Sequence, residues 1–229
     1  MPLAFDANHL PQMTSEYVAW VDVMGTQISM SKSIKITANF IFKLHIAALR
    51  AKAQGVTLYP VMDGFYAASS ARNQMLEFLR SVYKSVAEEF NSTAEQFHRF
   101  VIRGGLAFGP VIHGSGVGQC AKELAANAVY SNSVLLGLPM VQAHLSEHEA
   151  PPFGIFVHES ARTFAPTGSE PLHSIWWAWK DASSMKIWNK LKTELGSYLE
   201  WSKVRSQAIG YAVERIEAHR EMMKQYFEL

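Results

Sequence analysis

Residues 56–70, VTLYPVMDGFYAASS, are two short apolar runs meeting at Asp63-Gly64, with a long amphipathic stretch on either side. Asp-Gly between apolar residues is a strong hairpin signal. The spacing predicts two strands joined at that dipeptide, with Pro60 placing the first towards a sheet edge or a bulge. Upstream, Ile34, Ala38, Ile41, Phe42, His45 and Leu49 recur at intervals of three and four. That periodicity predicts a helix from Thr26 to about Gln54, with Gly55 as its C-cap residue. Downstream, Met75, Phe78, Leu79, Val82, Val86 and Phe90 predict a second long helix over residues 71–98. EYVAWVDVMG has the length and β-branched content of a buried strand that Gly25 ends. RFVIRGGLAFGPVIHG is a fourth strand, rich in glycine. The order is β-α-β-β-α-β, the split ferredoxin-like pattern of an α+β sandwich. Many unrelated functions share it.

Beyond that core, GSGVGQCAKELAAN suggests a loop with a short helical piece, and SVLLGLPMVQAHLSEHEA a helix. PPFGIFVHESA suggests a strand and turn, LHSIWWAWK a late strand, and residues 184–229 mostly helix. The expected organisation is an N-terminal segment over 1–15, one domain over 16–183 and a helical extension over 184–229. With 48% hydrophobic and 18% charged residues, the mix is that of a soluble globular chain. A net charge of +1 gives no basic field for nucleic acid. The single cysteine, Cys120, excludes an internal disulfide and points to a reducing compartment. No basic-then-apolar leader opens the chain, and no apolar run approaches the ~20 residues of a membrane span. The expectation is a cytoplasmic protein with no membrane partner.

Asp22 interrupts the end of the first apolar run, and Asp63 stands at the hairpin turn. In the split topology the two fall at the same sheet edge. Converging carboxylates repel unless protonated or bridged by cations. Oxygen donors suit Mg²⁺ or Mn²⁺, with substrate phosphates completing the shell. The small turn and helix start after Asp22 offer backbone N–H groups to phosphate oxygens. Two-metal phosphoryl transfer fits this arrangement. Both residues have structural alternatives: Asp63 suits a type I′ turn and Asp22 a helix N-cap.

Four motifs resemble those of the class III nucleotidyl cyclases, over roughly residues 16–180. Against F-x-D-I-x-G-F, WVDVMGT supplies Trp20, Asp22, Val23 and Gly25. Asp63 matches the hairpin aspartate. Against R-x-G-I-x-x-G, RGGLAFG supplies Arg103, Gly105, Leu106 and Gly109. Against G-x-x-V-N-x-A-S-R, GLPMVQAHL keeps Gly137, Met140 and Ala143. The resemblance implies that Asp22, Asp63 and the Val23 carbonyl hold two metal ions, and that Gly25 and Thr26 contact the triphosphate. It also implies a homodimer with shared sites, the long helices and part of the aromatic strand lying near the interface.

The departures concern the base and the transition state. Tyr59 stands where the family has a purine-selecting lysine, and Val134 where it has a purine-selecting aspartate. Val141 and Leu145 replace the helix asparagine and arginine. This pattern resembles the pyrimidine cyclases of bacterial Pycsar anti-phage systems. It implies UTP or CTP as substrate, UTP favoured, and a cyclic nucleotide read by a separate effector.

Arg103 either faces the triphosphate or is anchored on the sheet by a surface carboxylate. Lys180 and Lys186 are further cations without a pattern to support them. WWAW suggests core or dimer interface. His113, His144 and His148 follow no metal-ligand spacing, and GSGVG lacks the ending of a phosphate-binding P-loop. Two other classes stay open: a degenerate nucleotide-binding domain, and a single-strand RNA binder, which the near-neutral charge and the acidic turn oppose.

Overall fold

The computed structural model describes residues 3–51 and 53–229. Its strands are β1 Thr14–Val23, β2 Thr57–Val61, β3 Gly64–Ser69, β4 Ile102–His113, β5 Leu135–Leu136, β6 Ile155–Val157 and β7 Trp176–Trp177. The helices are α1 Thr26–Lys32, α2 Ile34–Ala51, α3 Arg72–Ser92, α4 Lys122–Ala126, α5 Ala128–Asn132, α6 Leu138–Ser146, α7 Glu159–Thr163, α8 Met185–Val204, α9 Ser206–Ile209 and α10 Val213–Tyr226.

The sheet order is β2-β3-β1-β4-β6-β7, with β5 paired to the far end of β4. The first four strands pair antiparallel throughout, β6 joins β4 in parallel, and β7 closes antiparallel. This is the expected βαββαβ sandwich, widened by a short βαβ-like addition. β1 is buried from Glu16 to Val21 because both sheet faces are covered. Its Tyr17, Ala19, Val21 and Val23 share one core with residues of α2, α3 and α8. Val18 and Trp20 point the other way, towards Met140 and Ala143 of α6.

The Arg-Gly-Gly stretch of β4 owes its second glycine to this layer. A Cβ on Gly105 would run into the carbonyl oxygen of Ala143, so α6 lies directly on the strand. The C-terminal helices complete the core. Trp188, Leu191, Leu195, Ile216 and Tyr226 belong to the main cluster, and the Tyr226 hydroxyl donates to the carbonyls of Phe153 and Trp177 at 3.1 and 3.2 Å.

Four expectations are corrected. The hairpin turns at Met62-Asp63, with Val61 facing Gly64, one residue earlier than Asp-Gly suggests. Gly64 is instead a packing position, where a Cβ would meet the Val21 carbonyl and the Trp20 ring. The helix expected over 26–54 breaks at Ser33, whose backbone is extended. There the Thr37 hydroxyl donates to the Ser33 carbonyl at 3.0 Å and meets the Ser29 hydroxyl at 2.7 Å. The second long helix stops at Ser92, because the Ser92 and Thr93 hydroxyls both turn back onto the Glu89 carbonyl. The late aromatic strand pairs only at Trp176 and Trp177, while Trp179 is fully buried in the core.

Candidate active site

β1 delivers Asp22 at its C-terminal end, between Gly64 of β3 and Arg103 of β4. Gly64 follows Asp63 directly, so the two aspartates meet at one sheet edge, as their positions in the split topology imply. Asp22 is largely buried. Its Oδ1 has no hydrogen-bond partner. Burial first, then the charges of Asp63 and Glu147, push its pKa up to about 8. Arg103 and the Val23 N–H offset this only in part.

Asp22 is not an N-cap, and Asp63, though a hairpin-turn residue, is not in a type I′ turn. The N-cap of α1 is Gly25, at φ +76°, and no side chain caps that helix. Among the described residues only Met62 and Phe153 are non-glycine residues with positive φ, so Asp63 is not the second residue of a type I′ turn. Its carboxylate instead accepts a hydrogen bond from the Thr26 hydroxyl, 37 positions away. Thr26 and Gly25 therefore stand beside the aspartate pair. α1 is only seven residues long, so its dipole is small, and the turn's own backbone N–H groups are what it offers an anion, the Thr26 hydroxyl proton being given to Asp63.

Arg103 takes the second of its two expected arrangements, anchored at the sheet by a carboxylate. Its Nε donates to Glu147, one terminal nitrogen lies 2.9 Å from His148 Nδ1, and the other faces the His148 carbonyl and His219 Nε2. The carboxylate that anchors it is buried, at 3% side-chain exposure, rather than on the surface. His219 is held neutral, its pKa lowered to about 4 by burial and by Arg103 and Arg215. An arginine can only donate, so Nε2 accepts and Nδ1–H faces the Tyr211 hydroxyl.

Tyr59 is buried on β2, and its hydroxyl is bonded to His113 Nδ1. His113 Nε2 lies 2.9 Å from Glu16 Oε1, which also accepts from Thr14 at 2.7 Å. A carboxylate can only accept, so Nε2 carries the proton and Nδ1 receives the phenol's. Burial and the Glu16 charge raise the phenol's pKa to about 12, which keeps it a donor. Lys180 lies 5.4 Å from the Trp188 ring, in the α8 layer, and His144 packs 5.4 Å from Trp20.

Glu147, Glu16 and His219 were not singled out by sequence. Each reaches its partner across 44 to 116 positions, and none stands in a motif. The donor set at the aspartates is oxygen only, and an orphaned buried carboxylate oxygen is what a hard divalent cation fits. Among the described residues no group of three His, Cys, Asp or Glu converges, so the Val23 carbonyl and ligand oxygens would have to complete the shell. No helix among the described residues is long and apolar enough to cross a membrane.

No protein-family model matches the chain, and no curated protein does. Solved structures similar to it include the monomeric guanylyl cyclase domain of the RhoGC fusion protein from the aquatic fungus Blastocladiella emersonii. Identity is 19%, coverage 66% of this chain and 85% of that one, and TM-score 0.49. The catalytic core of a rhodopsin-guanylyl cyclase with converted specificity, in complex with ATPαS, matches at 18% identity, 65% and 78% coverage and TM-score 0.47. A bacterial light-regulated adenylyl cyclase matches at 15% identity, 64% and 44% coverage and TM-score 0.48. No substrate or partner follows from likeness of this degree.

Proposed function

We propose that the chain is a class III nucleotidyl cyclase that converts a nucleoside triphosphate into a 3′,5′-cyclic nucleotide and pyrophosphate. The observation that carries this reading is Asp22: buried, with one oxygen unpartnered, and pressed against a second aspartate at the same sheet edge. Asp22 and Asp63, with the Val23 carbonyl, would hold two ions of Mn²⁺ or Mg²⁺. When bound, such ions acidify the ribose 3′-OH and neutralise phosphate charge. Gly25 and Thr26 orient the triphosphate beside the pair. The ribose 3′ oxygen attacks the α-phosphorus, the bond to the β-phosphate oxygen breaks, and pyrophosphate leaves. Positioning and electrostatics supply most of the acceleration in such transfers.

The substrate we infer is a pyrimidine triphosphate, UTP ahead of CTP. Tyr59 and Val134 stand at the family's purine-reading positions, and neither offers a free hydrogen-bond donor to a purine edge. The Tyr59 hydroxyl is already engaged by His113. The product would be a second messenger of anti-phage defence, made in the cytoplasm and read by a separate cyclic-nucleotide-binding effector. The active form would be a homodimer with shared sites. The Leu138, Val141 and Leu145 stripe, exposed along α6, supports such pairing.

A second reading is a cyclase-like domain that binds nucleotide without turnover. Valine and leucine at positions 141 and 145, and an Arg103 held by Glu147, favour it. Incubating the protein with Mn²⁺ and each of the four nucleoside triphosphates, then identifying products by mass, separates the readings. Cyclic UMP or cyclic CMP supports the first proposal. Binding without any cyclic product supports the second.

A further inference from the structure

Behind the aspartate edge lies a cavity of about 550 Å³, closed on one side by α1 and α2 and on the other by α8, α9 and the start of α10. Neither aspartate lines it. Its apolar walls are largely aromatic, with Phe40, Phe97 and Phe100 facing Tyr198, Trp201 and Tyr211. The α9–α10 link closes directly onto α1: at Gly210 even a Cβ would strike Ile28. The volume falls in the range of small-molecule sites, roughly 300–1,000 Å³.

The charge of the lining is one-sided. Lys32, Arg99, Arg103 and Arg215 border the cavity and no carboxylate does. Arg99 is matched outside the cavity by Glu194 at 2.8 Å, and Arg103 by Glu147. Lys32 donates only to the neutral carbonyls of Gln207 and Ala208. Arg215 has no ion pair or side-chain hydrogen bond among the described residues. Two positive charges at the rim are therefore uncompensated. An aromatic-walled cavity with cations at its edge and no acid suits a molecule with an apolar body and one anionic group.

We propose that this cavity is a binding site for a small amphiphilic monoanion, such as an acyl or aryl carboxylate, with its apolar body among the aromatic side chains and its charge at Arg215 and Lys32. The C-terminal helices supply one side of the walls. The remainder includes Met24 and Gly25, the two residues after Val23. An occupant therefore touches the turn that carries the candidate phosphate contacts, and the site is a natural input to it. The proposal concerns binding alone and does not depend on the cyclase reading.

The test titrates the full chain with 1-anilinonaphthalene-8-sulfonate, a fluorescent aryl monoanion, and displaces it with dodecanoate or with dodecanol. We expect saturable one-site binding, displacement by dodecanoate, and displacement by dodecanol at least tenfold weaker. Arg215→Glu, a change at an exposed position, should weaken dodecanoate at least tenfold and leave dodecanol within twofold. Ala212→Trp, which fills the mouth, should abolish both while the protein still unfolds cooperatively. Non-saturable probe binding, equal displacement by acid and alcohol, or dodecanoate affinity unchanged in both variants would overturn the proposal.

Discussion

Arg103 stands directly across the β1–β4 ladder from Asp22, yet its guanidinium is bound to Glu147 and not to that aspartate. This buried cation beside the carboxylate pair is thus already matched. Asp22 is left facing Asp63, which accounts for part of its raised pKa. The edge behaves as an incomplete ionic cluster, and its missing charge is positive.

That imbalance has a pH signature. The unfolded chain loses the Asp22 proton near pH 4, the folded chain near pH 8. Between these values the folded state holds more protons than the unfolded one, so stability falls as pH rises through that window. The slope contributed is at most ~1.4 kcal/mol per pH unit. Urea unfolding from pH 5 to 9 in chelator should show it. Asp22→Asn should remove the slope, and millimolar Mn²⁺ should suppress it. The same substitution, and Asp63→Ala, should abolish cyclase turnover while the fold persists. A pH-independent stability in chelator would sink the account of the pair.

The Arg103–Glu147 pair makes a second prediction. Glu147→Ala leaves a buried guanidinium without its carboxylate and should cost roughly 3–5 kcal/mol. The double change Arg103→Met with Glu147→Leu should recover most of that loss, since the pair and its desolvation disappear together. Denaturant midpoints of the wild type, Arg103→Met, Glu147→Leu and the double variant form the cycle that measures it. Additive losses would mean that the two side chains are energetically independent.

The aspartates were legible because each is a lone charge in an apolar run, where solubility gives no reason for it. The succession of elements was legible because the periodicity switches between two and 3.6 along the chain. What the sequence hid was set by tertiary contact. Gly64 looked like a turn residue, but its lack of a side chain serves the approach of Trp20. The break at Ser33 comes from hydroxyl–carbonyl bonds, with no glycine or proline to announce it. Glu147 and His219 meet Arg103 only because α6 and α10 pack onto the same end of the sheet. No local pattern encodes such a meeting.

Assembly should depend on α6. Leu138, Val141 and Leu145 are 64%, 55% and 62% exposed, at spacings that put them on one helix face. Val141→Glu with Leu145→Glu should convert a homodimer into a monomer by light scattering. Turnover would then fall steeply with dilution. Because the positions are exposed, the folded monomer itself should change by no more than about 0.5 kcal/mol per substitution. A wild-type protein that is monomeric and fully active at nanomolar concentration would rule out the shared-site dimer.

The proposed base choice rests on Tyr59, and its partners make the expectation sharper than position alone. The phenol hydroxyl is held by His113, which is held in turn by Glu16, so the ring is a fixed wall and its proton is not free to bond a base. Tyr59→Phe keeps the wall and breaks the bond to His113. It should lower stability by about 1 kcal/mol and leave the ratio of pyrimidine to purine turnover within threefold. Tyr59→Ala removes the wall, at a stability cost of roughly 3–5 kcal/mol for a large buried ring. In the molecules that remain folded, that ratio should fall at least tenfold. On the pyrimidine proposal, purines should be disfavoured in the wild type because their polar edges would find no partner, at roughly 1–3 kcal/mol for each unpaired group. Product ratios from an equimolar mixture of the four triphosphates measure both variants at once. A wild-type protein whose main product is cyclic AMP or cyclic GMP would overturn the pyrimidine reading, and a Tyr59→Phe variant with lost base preference would show that the hydroxyl reads the base after all.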